Sequence, residues 1–444
     1  MVSASNFISA DKYSLSSSAN GFLPKVAFVP LAEDDSDLVD ILVTEGSLVR
    51  EGDVIAKTRG AYVHASVPGI VDKITQIQYS NGKQGPCACI DFSGSFSYLG
   101  KKLVPQEWRS YDASTLHFLI REAGLLNTFS KPVPLFTQIR KIWTAKSSIV
   151  VLRLFDPDPS CVTESFLSKK YLKNILEGTA ILARTFGAAN VVIAYSSADS
   201  NSIKPELDNI LSAEKKSEIF DADIDVFTIE IDARKYPAGT MHDITQSVKK
   251  MYKSELFSNL GKKDLFIDSV TALNTYNAFV LRKPVVSTFV HVTGDSLNSA
   301  ALLNVRIGTP LRELVEQCGG FKRKLSKIVI NGIVSGRAVS SLDIPVSRWV
   351  KSVEFIPVGQ VRILNSDNCI RCGSCRKICP VHLWPGNLYR VAHLTDFRNI
   401  CDSDKDALKT SVLCTECGLC NAVCSARLPL CQTISLLKDR NHEK

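Results

Sequence analysis

Two short cysteine runs near the C-terminus restrict this 444-residue chain more than any other feature. The first is Cys369–x2–Cys372–x2–Cys375–x3–Cys379, followed by Pro380. The second is Cys414–x2–Cys417–x2–Cys420–x3–Cys424, followed by Ser425. Three thiolates at two-residue gaps let a tight loop wrap three corners of an iron–sulfur cube, while the fourth cysteine leaves on the next helical turn. In chains with two such runs, that fourth cysteine ligates the opposite cube. The spacing therefore assigns Cys369, Cys372, Cys375 and Cys424 to one [4Fe-4S] cluster, and Cys414, Cys417, Cys420 and Cys379 to a second. Gly373 and Gly418 sit between the second and third cysteines, where the backbone must come close. Pro380 fixes the exit of the first loop. Structural zinc is the rival reading. It pairs two C-x2-C units across a longer gap to give four ligands, whereas here three cysteines in seven residues recur twice.

Six cysteines remain: Cys87, Cys89, Cys161, Cys318, Cys401 and Cys431. They are expected to be free buried thiols, Cys318 at a helix end and Cys401 and Cys431 near motifs that are complete without them. His382 is expected in a surface or capping role. From Arg362 onward twelve Lys/Arg stand against eight Asp/Glu. Two clusters of about −2 each offset that excess. The basic surplus is thus compensation, and the lack of a basic stripe with interleaved aromatics argues against a nucleic-acid partner. No run approaches the roughly 18 apolar residues that span a bilayer. Met1–Asn20 is Ser-rich and lacks the apolar core of a signal peptide. Fourteen cysteines would suggest disulfides in a small secreted chain, which this is not. The expectation is a cytoplasmic protein able to dock on a membrane partner.

Hydrophobic patterning divides the rest into a multidomain α/β arrangement. Residues 1–24 read as a flexible extension. Residues 25–100 alternate short strands with glycine turns, giving a small all-β unit of biotinyl/lipoyl barrel-sandwich type. Its hairpin apex near Gly60 carries no Met-Lys or Asp-Lys pair, so covalent cofactor attachment is not expected. Residues 101–284 alternate strands and helices, which predicts a Rossmann-like unit with a mostly parallel sheet. Strands are expected at Ile149–Leu154, Val191–Tyr195, Ile224–Ile231 and Leu265–Ile267. Helices are expected over Thr163–Phe186, Lys204–Leu211, Ile244–Glu255 and Val270–Leu281. Residues 285–352 show a β-β-α-β pattern of β-grasp type. Residues 353–444 form short helices around the cysteine runs, an α-helical two-cluster ferredoxin domain.

This order of parts resembles the RnfC component of the Rnf electron-transport complex. Supporting residues include Leu119–Gly124, Val292–Gly294, Arg306–Pro310, Cys318–Gly320 and both cysteine runs. The resemblance implies a peripheral subunit on the cytoplasmic side of the inner membrane. Its partners would be the other subunits of an ion-translocating complex that moves electrons between NADH and ferredoxin. Relatives of this kind hold FMN through a glycine-rich loop and an acidic Glu-Cys-Glu-Pro stretch. Here those places carry Leu125–Pro132 and Phe155–Pro159, and Asp268–Thr271 replaces an Asn-Asn-Val-Gly-Thr-type turn. Side chains along the loop would obstruct a phosphate cradle, so the flavin and NADH site reads as degenerate. An electron relay needs no acid, base or nucleophile, and no catalytic or flavin-binding residue is assigned. Two other functions compete: a flavin-dependent corrinoid reductase-like enzyme, which needs the missing loop, and an assembly module with structural clusters. The related first subunit of the sodium-pumping quinone reductase lacks the cysteine runs and fits worse.

Overall fold

Short β-branched runs separated by glycine turns build the N-terminal unit as two antiparallel sheets. The computed structural model describes residues 2–3, 17–33, 38–142, 149–196, 203–360, 368–393 and 401–442. One sheet orders Val26–Pro30, Gln84–Phe92, Gly69–Gln78 and Leu48–Val49; the other orders Val39–Ile41, Val54–Thr58 and Tyr62–His64. Ala27, Val29, Ile55, Val63, Val71 and Ile90 fill the space between them. The second sheet turns between Thr58 and Tyr62, around Gly60.

The next sheet is wholly parallel, in the order Asp225–Glu230, Asn190–Tyr195, Ile149–Arg153 and Leu265–Asp268. The chain thus winds outward from Ile149–Arg153 and then returns to its other side, as in one half of a doubly wound fold. Every residue of Ile149–Arg153 is buried, as a central parallel strand covered on both faces requires. Arg153 ends that strand only 1% exposed. Its guanidinium pairs with Glu164 at 2.9 Å, and Lys351 Nζ reaches Glu164 at 2.7 Å and Asp268 at 2.5 Å. Two buried cations and two buried carboxylates therefore balance in one network. Burial alone would raise the Asp268 carboxyl, but Lys351 and Arg153 outweigh it and hold it down at about 2. Burial likewise works against the Lys351 ammonium, and Asp268 and Glu164 raise it on balance.

A mixed six-stranded sheet follows, in the order Ala19–Asn20, Ala301–Arg306, Ser287–Thr293, Ser352–Pro357, Leu325–Ile330 and Arg337–Val339. Beyond it the described residues contain helices only: Ser374–Ile378, Pro385–Ala392, Asp402–Thr410, Leu419–Ala422 and Leu430–His442, with a 3-10 turn at Ser411–Leu413.

Four expectations change. The N-terminal extension is not simply flexible, because Val2–Ser3 pairs with Lys235–Tyr236 and Ala19–Asn20 pairs with Leu303–Asn304; residues 1 and 4–16 lie outside the described residues. The helix expected over Thr163–Phe186 is two, Thr163–Lys170 and Leu172–Phe186. The break falls at Tyr171, whose ring turns to meet Phe289 at 6.1 Å. The six-stranded sheet runs past residue 352, since Ser352–Pro357 lies between two of its strands. Helices Ala113–Glu122 and Leu135–Ile142 had no counterpart in the periodicity reading.

His64 and His291 are buried on this framework. Burial and the nearby Arg348 charge lower His64 to about 3, and burial lowers His291 to about 4. The unfolded chain takes up protons at both near pH 6.5, where the folded chain does not. Stability is therefore full above that value and falls as the medium is acidified. The expected slope between pH 6.5 and 5 is on the order of 2–3 kcal/mol per pH unit for the two groups together. Urea unfolding across this range checks it, and His64→Gln and His291→Gln should each remove about half of the slope.

Candidate metal centre

The two cysteine runs adopt the same backbone. Arg371 and Glu416, each just before the second cysteine, have φ of 56° and 57°. Gly373 and Gly418 have φ of 76° and 72°. His382 and Arg427, three residues after each fourth cysteine, both have φ of 56°. Left-handed backbone costs an L-residue about 1–2 kcal/mol, so four non-glycine cases at matched places mark a loop shape that the surroundings enforce. Amides then turn toward sulfur. Leu383 N–H donates to Cys379 Sγ at 3.3 Å, Leu428 N–H to Cys424 Sγ at 3.4 Å, and Glu416 N–H to Cys414 Sγ at 3.4 Å.

The short helices Ser374–Ile378 and Leu419–Ala422 pack together and bring each run to the other. Cys379, from the first run, lines one cavity with Cys414, Cys417 and Cys420 of the second. Cys424 and Cys375 both pack against the buried cluster of Cys420, Ala426, Leu428, Leu430 and Cys431. Cys369 and Cys375 lie over Gly386. Cys372 points outward, its Sγ 3.5 Å from Ser374 Oγ. That hydrogen bond lowers its thiol pKa, whereas burial raises those of Cys375 and Cys417. Among the described residues no group of Cys, His, Asp and Glu closes up into a site for a single metal ion. Thiolates around a cube stand farther apart than four around one zinc, where each Zn–S bond is about 2.3 Å. The donor set, the cavity and the amides aimed at sulfur suit a cluster.

The two loops differ in exposure. Cys369 and Cys372 are exposed, with Ile370 67% and Trp384 54% accessible beside them. The second loop is pressed onto the rest of the chain. Tyr236 Oη donates to the Cys417 carbonyl at 2.7 Å, and Glu416 pairs with Lys131 at 3.1 Å and Lys438 at 2.7 Å. Gly418 lies against the Val334 carbonyl. Val334 itself is set by buried Asp158, whose Oδ2 accepts from Val334 N–H, Ser335 N–H and Ser335 Oγ at 3.1, 2.8 and 2.8 Å.

Of the other cysteines, Cys401 is exposed and so corrects the expectation of burial; it stands at the solvent-facing start of Asp402–Thr410, with Sγ 3.1 Å from Ser403 Oγ. Cys161 is only half-buried by residue, while Cys87, Cys89, Cys318 and Cys431 are buried. His382 is exposed and absent from the cavity lining. Cys431 is the residue that sequence reasoning missed: it lines the cavity shared by Cys379, Cys414, Cys417 and Cys420. Extending the repeat beyond the four cysteines of each run would have flagged it.

The loop Leu125–Pro132, the stretch Phe155–Pro159 and the turn Asp268–Thr271 are occupied by internal contacts. Asn127 Nδ2 donates to the Phe266 carbonyl at 2.7 Å, and Thr128 Oγ1 donates to Asp268 at 2.8 Å. Phe129 lies under the Arg153 guanidinium at 4.3 Å. Asp156 caps the helix Thr163–Lys170 by accepting from Glu164 and Ser165 amides.

Comparison with known proteins gives three family matches. An RnfC barrel sandwich hybrid domain matches residues 14–95, an SLBB domain residues 289–336, and a 4Fe-4S dicluster domain residues 365–428. The C subunit of the Na(+)-translocating ferredoxin:NAD(+) oxidoreductase complex of Acetobacterium woodii is 22% identical, over 83% of this chain and 81% of that one. The C subunit of the ion-translocating oxidoreductase complex of Methanosarcina acetivorans is 26% identical, over 84% of each. A chain of the NAD+-reducing [NiFe]-hydrogenase, crystallised in the H2-reduced state, superposes with a TM-score of 0.50 at 15% identity. That match covers 74% of this chain and 63% of the hydrogenase chain, and it carries fold likeness alone. No helix among the described residues is long and apolar enough to cross a membrane.

The two loop glycines provide a contrast. A Cβ on Gly373 meets nothing within 4 Å, whereas one on Gly418 would stand 2.4 Å from the Val334 carbonyl oxygen. Gly373→Ala should cost only the left-handed backbone penalty, about 1–2 kcal/mol. Gly418→Ala should cost clearly more and release iron faster to a chelator, because backbone on both sides must shift. Chelator-release rates and urea midpoints of the two variants check the order.

Proposed function

Because the chain belongs to the RnfC family of Rnf-type complexes, we propose that it is the iron–sulfur electron-transfer subunit of an ion-translocating oxidoreductase. The observation that carries the reading is the meeting of Cys379 with Cys414, Cys417 and Cys420 across a single cavity. These four are the ligands of the inner cluster, and Cys369, Cys372, Cys375 and Cys424 those of the outer one. Bound clusters supply one-electron carriers. What the chain itself does is exclude water and aim amides at sulfur, which together set potential. The exposed first loop is the side offered to a redox partner. The second, pinned by Tyr236, Val334 and Glu416, faces the body of the protein. Other subunits, with ferredoxin or NADH at the ends of the chain of carriers, are the partners, and attachment to the cytoplasmic face of the membrane is through them. The domain division we propose differs from the expected one in two places: Ala19–Asn20 joins the six-stranded sheet, and that sheet extends to Pro357.

Flavin does not fit the α/β unit. Its acidic stretch is spent on a helix cap and on the turn at Val334, and Thr128 and Asp268 satisfy each other in a neutral buried network. No step is therefore routed through FMN, and a flavin-dependent reductase is the weaker reading. Lys351→Met would strand the Asp268 carboxylate and should cost about 3–5 kcal/mol, measured by urea unfolding.

Anaerobic purification followed by iron, sulfide and flavin analysis is the direct test. About eight irons and eight sulfides per chain, without flavin, are expected from two cubes. Stoichiometric FMN would overturn the account of the α/β unit, and zinc as the sole metal would overturn the whole proposal. Crossed ligation has its own signature in electron paramagnetic resonance. Cys379→Ala should lose the same reduced signal as Cys417→Ala, and Cys424→Ala the same as Cys372→Ala.

A further inference from the structure

The repeat that relates the two cysteine loops continues into the helices after them. Pro385–Ala392 and Leu430–His442 begin six residues after Cys379 and Cys424 respectively, so Gly386 and Cys431 are matched second residues. The matching is spatial as well. A side chain at Gly386 would begin 3.4 Å from Cys375 Sγ and 3.9 Å from Cys369 Sγ, the third and first cysteines of the first run. Cys431 lines one cavity with Cys420 and Cys414, the third and first cysteines of the second run, and packs with Cys420 in one buried cluster. One loop therefore has a bare backbone where the other has a buried thiol. Cys431 is fixed in place: its amide donates to Asn421 Oδ1 at 2.8 Å, and Asn421 Nδ2 donates to Gln432 Oε1 at 2.6 Å. Its side chain lines the same cavity as Cys379, Cys414, Cys417 and Cys420.

We propose that Cys431 is a positioning residue of the second cluster, a thiol that donates its S–H to the ligand sulfurs of Cys414 and Cys420 and so raises that cluster's reduction potential. The proposal rests on the cluster reading above. Four thiolates complete a cube, so a fifth thiol held against two of them is left as a donor. Hydrogen bonds to sulfur withdraw charge from it and favour the reduced state, and they count for more where water is excluded. Cys431 is 8% exposed. The first loop has no side chain at this position, so this residue adds a further difference between two clusters that already differ in exposure. An electron shared between them would then favour the inner site.

The test is a redox titration of the anaerobic protein followed by electron paramagnetic resonance, with iron counted in each sample. Cys431→Ala and Cys431→Val, which cannot donate, should both keep about eight irons and lower the midpoint of one cluster while leaving the other in place. Cys431→Ser, which can donate, should stay close to the unaltered protein. The cluster that moves should be the one whose signal Cys417→Ala abolishes. Unchanged midpoints in the Ala and Val variants would overturn the proposal, as would loss of about four irons in them, which would make Cys431 a ligand. If Val fills the site poorly, agreement between Ala and Val in the direction of the shift separates loss of the donor from altered packing. Failure of the underlying reading would look different: the unaltered protein itself would lack two clusters.

Discussion

A buried carboxylate, Asp158, holds the arrangement on which the cluster site depends. It is 1% exposed and accepts on both oxygens, from the amide and hydroxyl of Ser160 and from Val334 and Ser335. A carboxyl group so placed is tolerable only because both its oxygens have donors. The result is a fixed turn over residues 332–336 that presents the Val334 carbonyl to Gly418. The second cysteine loop is therefore seated against rigid backbone of a distant sheet. Tyr236 adds a second anchor through the Cys417 carbonyl, and Glu416 a third through Lys131. Three separate parts of the fold thus converge on seven residues of loop.

The same carboxylate lies in the Phe155–Pro159 stretch, two residues from Asp156. Buried polar groups each cost about 1–3 kcal/mol if left unpaired. Here they are paired internally. Asp156 caps a helix, Asp158 clamps a turn, Thr128 meets Asp268, and Lys351 enters from the neighbouring sheet to neutralise the remainder. Side chains of the Leu125–Pro132 loop fill the space beside the sheet, as with Asn127 on the Phe266 carbonyl.

Local features were legible in the sequence and long-range ones were not. The cysteine loops could be read because their shape is set within ten or so residues, and the parallel strands because central strands are continuous β-branched runs. Crossed ligation was inferred from spacing, and the structure brings Cys379 into the cavity of the second run. The split at Tyr171 was invisible, since the apolar period runs on across it and only the ring's contact with Phe289 reveals the turn. Strand Ser352–Pro357 was cut by the expected boundary because its partners, Ser287–Thr293 and Leu325–Ile330, lie far back in the chain. Cys401 looked like a buried thiol by residue type alone, yet it begins a polar helix rich in Asp and Lys. Asp158 gave no signal beyond acidity, because its partners Val334 and Ser335 are some 175 residues away.

The exposure of the two loops bears on direction of use. The outer loop, with Cys369 and Cys372 open to solvent, allows a partner's carrier to approach closely, but solvent also stabilises its charge and leaves its potential to be set by water and partner together. The inner loop is less exposed, and fixed groups surround it: amides, Lys131, Lys438 and the neighbouring thiol. A carrier that must accept from changing encounters is best placed outside, and one that must hold a defined potential is best placed inside. Near-identical loop backbones, repeated down to the left-handed residues, are thus given different duties by what each is packed against. The motif itself decides only that a cluster is held.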